Sequence, residues 1–204
     1  MIMLLTILTL FIGGLVAWSI EAWNKDLPRW ISVGTCLIAS ILIATLYFQP
    51  TQQELMLAGV SSTWYEVLSI PWIPRFGIGF VLAIDGLSLL MVSLTLFLGF
   101  IAILSSWDEI DRRPGFFQFN LMWTLAGVVG VFVALDLFLF FFFWEVMLIP
   151  MYLLIAIWGH ENKAYAAMKF FLFTQVSGLI MLVAILALVL GVAGTGVPLT
   201  FNYF

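Results

Sequence analysis

The stretch LFLFFFFWEVMLIPMYLLIAIW, Leu137–Trp158, is 22 residues long with one ionisable side chain, Glu145, and one proline, Pro150. About 20 apolar residues in a helix cross the hydrocarbon core of a bilayer, so this segment reads as a transmembrane helix. Five further stretches of the same kind surround it: Ile2–Ser19, Trp30–Phe48, Ile78–Leu104, Phe117–Ala134 and Met168–Leu190. Composition agrees, with 64% hydrophobic and 9% charged residues and a mean hydropathy of +1.19. A water-soluble domain carries about 25% charged residues, and a chain this apolar could not cover its own surface in water. The expected class is an all-α integral membrane protein of about six transmembrane helices, with the lipid bilayer as its solvent and no nucleic acid partner.

The connections hold most of the charge. They are EAWNKDLPR (21–29), a longer segment of 49–77 that includes SIPWIPR, WDEIDRRPG (107–115) and GHENKAYAA (159–167), with only a turn around Asp136 between the fourth and fifth helices. Lys25, Arg29, Arg112, Arg113, Lys163 and Lys169 flank the first, third and fifth connections, and Arg75 alone lies on the other side. Because cytoplasmic connections are enriched in Lys and Arg, both termini are expected outside, in the periplasm of a bacterial cell. Trp18, Trp23, Trp30, Trp72, Trp107 and Trp158 fall near the expected helix ends, as interfacial aromatics do. The N-terminal apolar run has no cation before Lys25 and is longer than a signal-peptide core, so it reads as a retained first helix.

Cys36 and His160 are the whole inventory of soft ligands. Iron–sulfur clusters and closed zinc sites each take about four such ligands, so neither group nor a bis-histidine haem is expected in this chain. GIG at 77–79 and GVAGTG at 191–196 lack the spacing and the strand–turn–helix setting of a dinucleotide loop.

Glu145 lies 13 residues before Trp158, or about 20 Å along the helix, and so near mid-membrane. An ionised carboxylate at that depth is costly unless paired, solvated or neutralised. Such a group takes up or releases a proton as a neighbouring charge moves. Pro150 cannot donate to the carbonyl of Val146, which leaves a bare acceptor beside the carboxyl. The alternative is a protonated Glu145 serving only as an interhelical hydrogen-bond donor.

Other polar groups admit two readings each. Lys169 opens the sixth stretch, where it either communicates with Glu145 through water or snorkels to the interface. Thr174, Gln175 and Ser177 either hold water near Glu145 or bond between helices. Asp85 sits about two turns into the third stretch, as a proton-path carboxylate or a hydrogen bonder beside Gly86. Asp136 either caps the fifth helix or carries protons, and His160 on its connection is either a proton relay or a plain surface residue.

LDLFLFFFFWEVMLIPMYLLIAIWGH (135–160) resembles the fifth helix of membrane subunit M of NADH:quinone oxidoreductase, respiratory complex I, the counterpart of mitochondrial subunit 4. WIPRFGIGFVLAIDGLSLLM (72–91), PGFFQFNLMW (114–123) and KFFLFTQVSGLIMLVAILAL (169–188) extend the resemblance over essentially the whole chain. Antiporter-like relatives, subunits L and N and the cation/proton antiporter subunits, share the glutamate but differ around it. The resemblance implies the N-terminal portion of an antiporter-like inverted-repeat fold: four helices within 1–134 with a periplasmic loop at 49–77, two helices within 135–190 carrying Glu145, and a truncated periplasmic tail at 191–204. It implies a proton-translocating subunit of an enzyme complex in the bacterial inner membrane, or the mitochondrial equivalent. FMN, iron–sulfur clusters and quinone would then belong to other subunits, and L-type and N-type membrane-arm subunits would be its partners. In the family, the glutamate matching Glu145 tunes a lysine on a later, broken helix that lies beyond these residues. A structural or assembly role without pumping, and a cation/proton antiporter subunit, are the alternatives.

Overall fold

The computed structural model describes residues 1–48, 53–57, 60–196 and 200–201. The first residues of the expected loop at 49–77 and parts of the expected tail (197–199 and 202–204) lie outside these. Among the described residues, six helices are long and apolar enough to cross a membrane: α1 (Ile2–Ile20), α2 (Leu27–Tyr47), α3 (Gly86–Ser105), α4 (Pro114–Val133), α5 (Leu137–Trp158) and α6 (Lys163–Ala193). The expected bounds of the fifth helix coincide with α5. Helices α2, α4 and α6 begin earlier than expected. Proline at the first or second position of α2 and α4 supplies helical φ where no N–H is needed.

The third stretch is the substantive correction. Its first part, Ile78–Ile84, is a strand, β4, and the helix begins only at Gly86. β4 pairs antiparallel with β3 (Glu66–Ile73) in the register Val67↔Ala83, Ser69↔Val81 and Pro71↔Gly79. A 3-10 turn over Pro74–Phe76 joins them, closed by Gly77 at φ 67°, a left-handed conformation that glycine adopts without penalty. The expected loop is therefore largely a β-hairpin that continues past residue 77. A second antiparallel pair precedes it, β1 (Gln53–Leu57) with β2 (Val60–Trp64). IGFVLAI is uniformly apolar, and a run of seven such residues fits a buried strand as well as a helix turn. Trp72 is likewise not at a helix end: it lies on β3 and packs edge-on to Phe142, with ring centroids 5.7 Å apart.

β4 is buried at Ile78, Val81, Leu82, Ala83 and Ile84, and its backbone is sewn into the bundle. Leu135 N donates to Val81 O at 2.9 Å, Phe201 N to Gly77 O at 3.2 Å, and Leu137 N to Phe201 O at 2.9 Å. The hairpin thus clamps the α4–α5 turn. At the other end of the helices, Arg29 reaches Asp26 at 3.0 Å and Asp111 at 3.6 Å, and donates to Ile110 O at 3.0 Å. Trp158 Nε1 donates to Arg112 O at 2.7 Å, and Trp30 meets Trp107 edge-on at 5.1 Å.

Between these ends, α4 is the hub, packed on α1, α3 and α5. Small residues let the backbones approach, as they do where lipid offers no competing hydrophobic drive. A Cβ on Gly127 would meet Met147, and one on Gly130 would run into the Phe143 ring. The core formed by these contacts includes Leu10, Ile43, Leu96, Met122, Val129 and Leu139. Helix α6 is covered only along one stripe, at Ala167, Gly178, Ile185 and Val189.

Candidate functional site

Glu145 stands eight residues into α5, about 12 Å from its start and 20 Å from its end at the usual helical rise. Its carboxyl is set against α6 at Gly178, so closely that a Cβ there would collide with Oε1. One turn-pair further along, Tyr152 meets Phe171 edge-on at 5.6 Å. The pairs 145/178 and 152/171 step in opposite directions, as two antiparallel helices require. Oε1 of Glu145 is buried and has no hydrogen-bond partner among the described residues, and the same holds for the indole N–H groups of Trp144 and Trp123. Pro150 lies within α5, buried, and withholds the N–H that the Val146 carbonyl would receive in an uninterrupted helix. The span therefore holds an unpaired acid oxygen and an under-bonded backbone carbonyl in adjacent residues.

The other sequence candidates do not converge on this point. Lys169 lies in the second turn of α6 rather than opening it, nine residues before Gly178. Nine residues amount to about two and a half helical turns and about 13 Å, which places Lys169 at a different depth and on the opposite face from the one meeting Glu145. It is exposed, and its ammonium lies 5.9 Å from the Tyr165 ring centroid. Thr174 shares the Gly178 face, one turn away, and its hydroxyl donates to Phe170 O at 2.7 Å.

Asp85 is not two turns inside a helix. It is the N-cap of α3, where its side chain accepts Ser88 N at 2.8 Å, because the residues before it are strand. Asp136 is the N-cap of α5 and is wholly buried. Its Oδ1 accepts Phe138 N at 2.9 Å and Leu139 N at 3.0 Å, and its Oδ2 accepts Gly79 N of β4 at 2.9 Å. His160 is exposed just after α5. Cys36 is buried, its thiol donating to Leu96 O at 3.2 Å.

Gly178 is the residue that sequence reasoning passed over. The signal available was a glycine in register with the buried Ile185 and Val189 of the same helix, the small-residue seam by which membrane helices come close.

Residues 134–203 match the family model described as NADH:quinone oxidoreductase/Mrp antiporter, TM. The chain is 53% identical over 203 residues to NADH-quinone oxidoreductase subunit M of Escherichia coli strain K12, an alignment spanning 97% of this chain and 40% of that protein. The chain belongs to this antiporter-like subunit M family. Subunit M of Pseudomonas aeruginosa is 52% identical over 204 residues, with 97% of this chain and 40% of the relative covered. The chain thus spans about 40% of the length of the curated relatives it matches. Among solved structures, a chain of respiratory complex I from Thermus thermophilus with bound NADH superposes with a TM-score of 0.77 at 26% identity, covering 99% of this chain and 38% of that one. The Mrp complex from Dietzia contains a chain at TM-score 0.76 and 18% identity, over 94% of this chain and 20% of that one; this likeness is one of fold.

Proposed function

We propose that this chain forms part of a proton-translocating membrane-arm subunit of an NADH:quinone oxidoreductase, with Glu145 as the group that exchanges protons inside the membrane. The observation that carries the reading is the carboxyl at mid-span of α5, wedged against Gly178 with Oε1 unpartnered. An acid oxygen buried without a partner is costly as scenery and useful as a proton acceptor, because a passing water or a moving charge changes its occupancy. Similarity to subunit M over nearly the whole chain supports the same reading. Redox chemistry, with FMN, iron–sulfur clusters and quinone, belongs on this view to other subunits. L-type and N-type membrane-arm subunits are the proposed partners.

Within this proposal the remaining charges divide by geometry. Lys169 snorkels at the interface, because it faces away from Glu145. Asp85 and Asp136 hold helix starts, and His160 is a surface group at the entry side. The basic connections lie in the cytoplasm and both termini outside, in a bacterial inner membrane or its mitochondrial equivalent.

The test is the Glu145→Gln variant in the assembled complex, measured as proton translocation in sealed vesicles alongside electron transfer. Pumping should be abolished or sharply reduced while the amount of assembled complex is unchanged. Intact pumping would sink the proposal in favour of a structural subunit. Transport that follows sodium rather than protons would favour a cation/proton antiporter.

A further inference from the structure

At the end of the bundle where the first and third connections meet, Trp18, Glu21, Arg113 and Phe116 line a cleft of about 340 Å³. Arg113 holds the left-handed position before α4, φ 54°, and is exposed. Glu21 follows α1, and its Oε2 accepts Phe116 N at 3.3 Å. One cation and one anion therefore share the cleft, yet among the described residues neither is in an ion pair. Trp18 supplies an aromatic wall, its ring 5.4 Å from that of Phe116 and stacked at 5.4 Å on Phe119.

From the cleft an aromatic ladder runs down α1 and α4. Phe119 lies 6.2 Å from Phe11, and Phe11 lies 5.4 Å from Trp123. The ladder ends in an apolar groove of about 320 Å³ whose lining includes Leu8, Phe11, Trp123, Phe142 and Val146. Leu8 and Phe142 of the groove are each more than two-fifths exposed, so the groove opens sideways, as does the cleft at Trp18. Leu8 to Glu21 is 13 residues, about 20 Å along the helix, which is the depth of one leaflet with its head groups, half of about 40–45 Å.

We infer that this cleft and groove form a binding site for one phospholipid with a phosphoethanolamine head group. The phosphate lies against the Arg113 guanidinium, which is always charged and offers several donors. The primary ammonium lies between the Glu21 carboxylate and the Trp18 face, where both the charge and the ring quadrupole attract it. One acyl chain follows the aromatic ladder into the groove. A choline head cannot donate hydrogen bonds to Glu21, and a glycerol head carries no ammonium, so the charge pattern selects ethanolamine.

The test is native mass spectrometry of the purified full-length protein in detergent, titrated in turn with the palmitoyl-oleoyl forms of phosphatidylethanolamine, phosphatidylcholine and phosphatidylglycerol. The ethanolamine lipid should be retained in preference to both others. Arg113→Gln should lower its occupancy by about fivefold, the upper end for an exposed ion pair. Glu21→Gln, which keeps an oxygen for Phe116 N, should lower ethanolamine binding and leave glycerol binding unchanged. Leu8→Trp fills the groove without touching a charge, and should lower retention of all three. Arg112→Gln, outside the cleft, should change nothing. Equal retention of the three lipids, or a loss with Arg112→Gln as large as with Arg113→Gln, would overturn the site. Displacement by millimolar inorganic phosphate would assign the cleft to a free anion and overturn it equally.

Discussion

Asp136 and Glu145 are both carboxylates in apolar surroundings, and their bonding separates them. Asp136 takes three backbone N–H groups from two elements, α5 and β4. Glu145 Oε1 takes none among the described residues. The first arrangement ties two elements together through one side chain, and the second leaves an acid oxygen open to a further partner, as the proposed proton exchange requires. Replacing Asp136 by Ala orphans the cap N–H groups and Gly79 N together, and should cost about 2–4 kcal/mol. Asn at 136 keeps a good cap and should cost about 1 kcal/mol. Unfolding in a graded anionic detergent measures both. If Asp136→Asn instead stopped proton translocation at unchanged stability, the structural assignment would be wrong. Both carboxylates were legible from sequence as charges in an apolar run. The cap at Asp136 was also among its sequence readings, and α5 bears it out. Its third partner, Gly79 of β4, was not legible, because it lies 57 residues away, and the neighbour of Glu145 is a glycine with no chemistry of its own to attract notice.

At the scale of elements, α5 was readable to the residue because Asp136 and Gly159 bracket a run that is apolar but for Glu145. The third stretch was not. Ile78–Ile84 and Gly86–Ser105 are both apolar, and only Asp85 between them marks the change from strand to helix. A cap residue inside a hydrophobic run reads as a buried charge when the run is taken as one helix. The helix seams also depend on contacts that no single segment displays. On α4, Gly130 faces the Phe143 ring without room for a methyl group. Gly130→Ala should therefore push α4 from α5 and destabilise the protein by about 1–3 kcal/mol, the usual cost of overpacking. The same detergent titration checks it. An unchanged midpoint would mean that the ring swings aside and that the seam is looser than its geometry.

For the whole molecule, the six helices among the described residues that are long and apolar enough to cross a membrane, and the kinship of the chain, followed from hydropathy and a few specific stretches. The arrangement at the two ends of the bundle did not, because it depends on which loops meet. At the hairpin end, β4, the α4–α5 turn and residue 201 are joined mainly through main-chain N–H and C=O groups, with the buried Asp136 carboxylate added on Gly79 N. At the opposite end the connections are joined through the side chains of Arg29, Trp30, Trp107 and Trp158.

That difference gives the bundle a stiff rim and a tunable one. Ions in solution weaken attraction between exposed charges, with a screening length near 10 Å at about 0.1 M salt, but they scarcely touch a peptide–peptide bond. Raising ionic strength should therefore speed deuterium uptake in residues 21–29 and 107–113 while leaving 78–84 and 134–137 slow. Equal acceleration at both rims would show that the Arg29 contacts contribute little. The clamp around β4 would act as the fulcrum, and any rocking of the helices against one another would have its largest excursion at the charged rim.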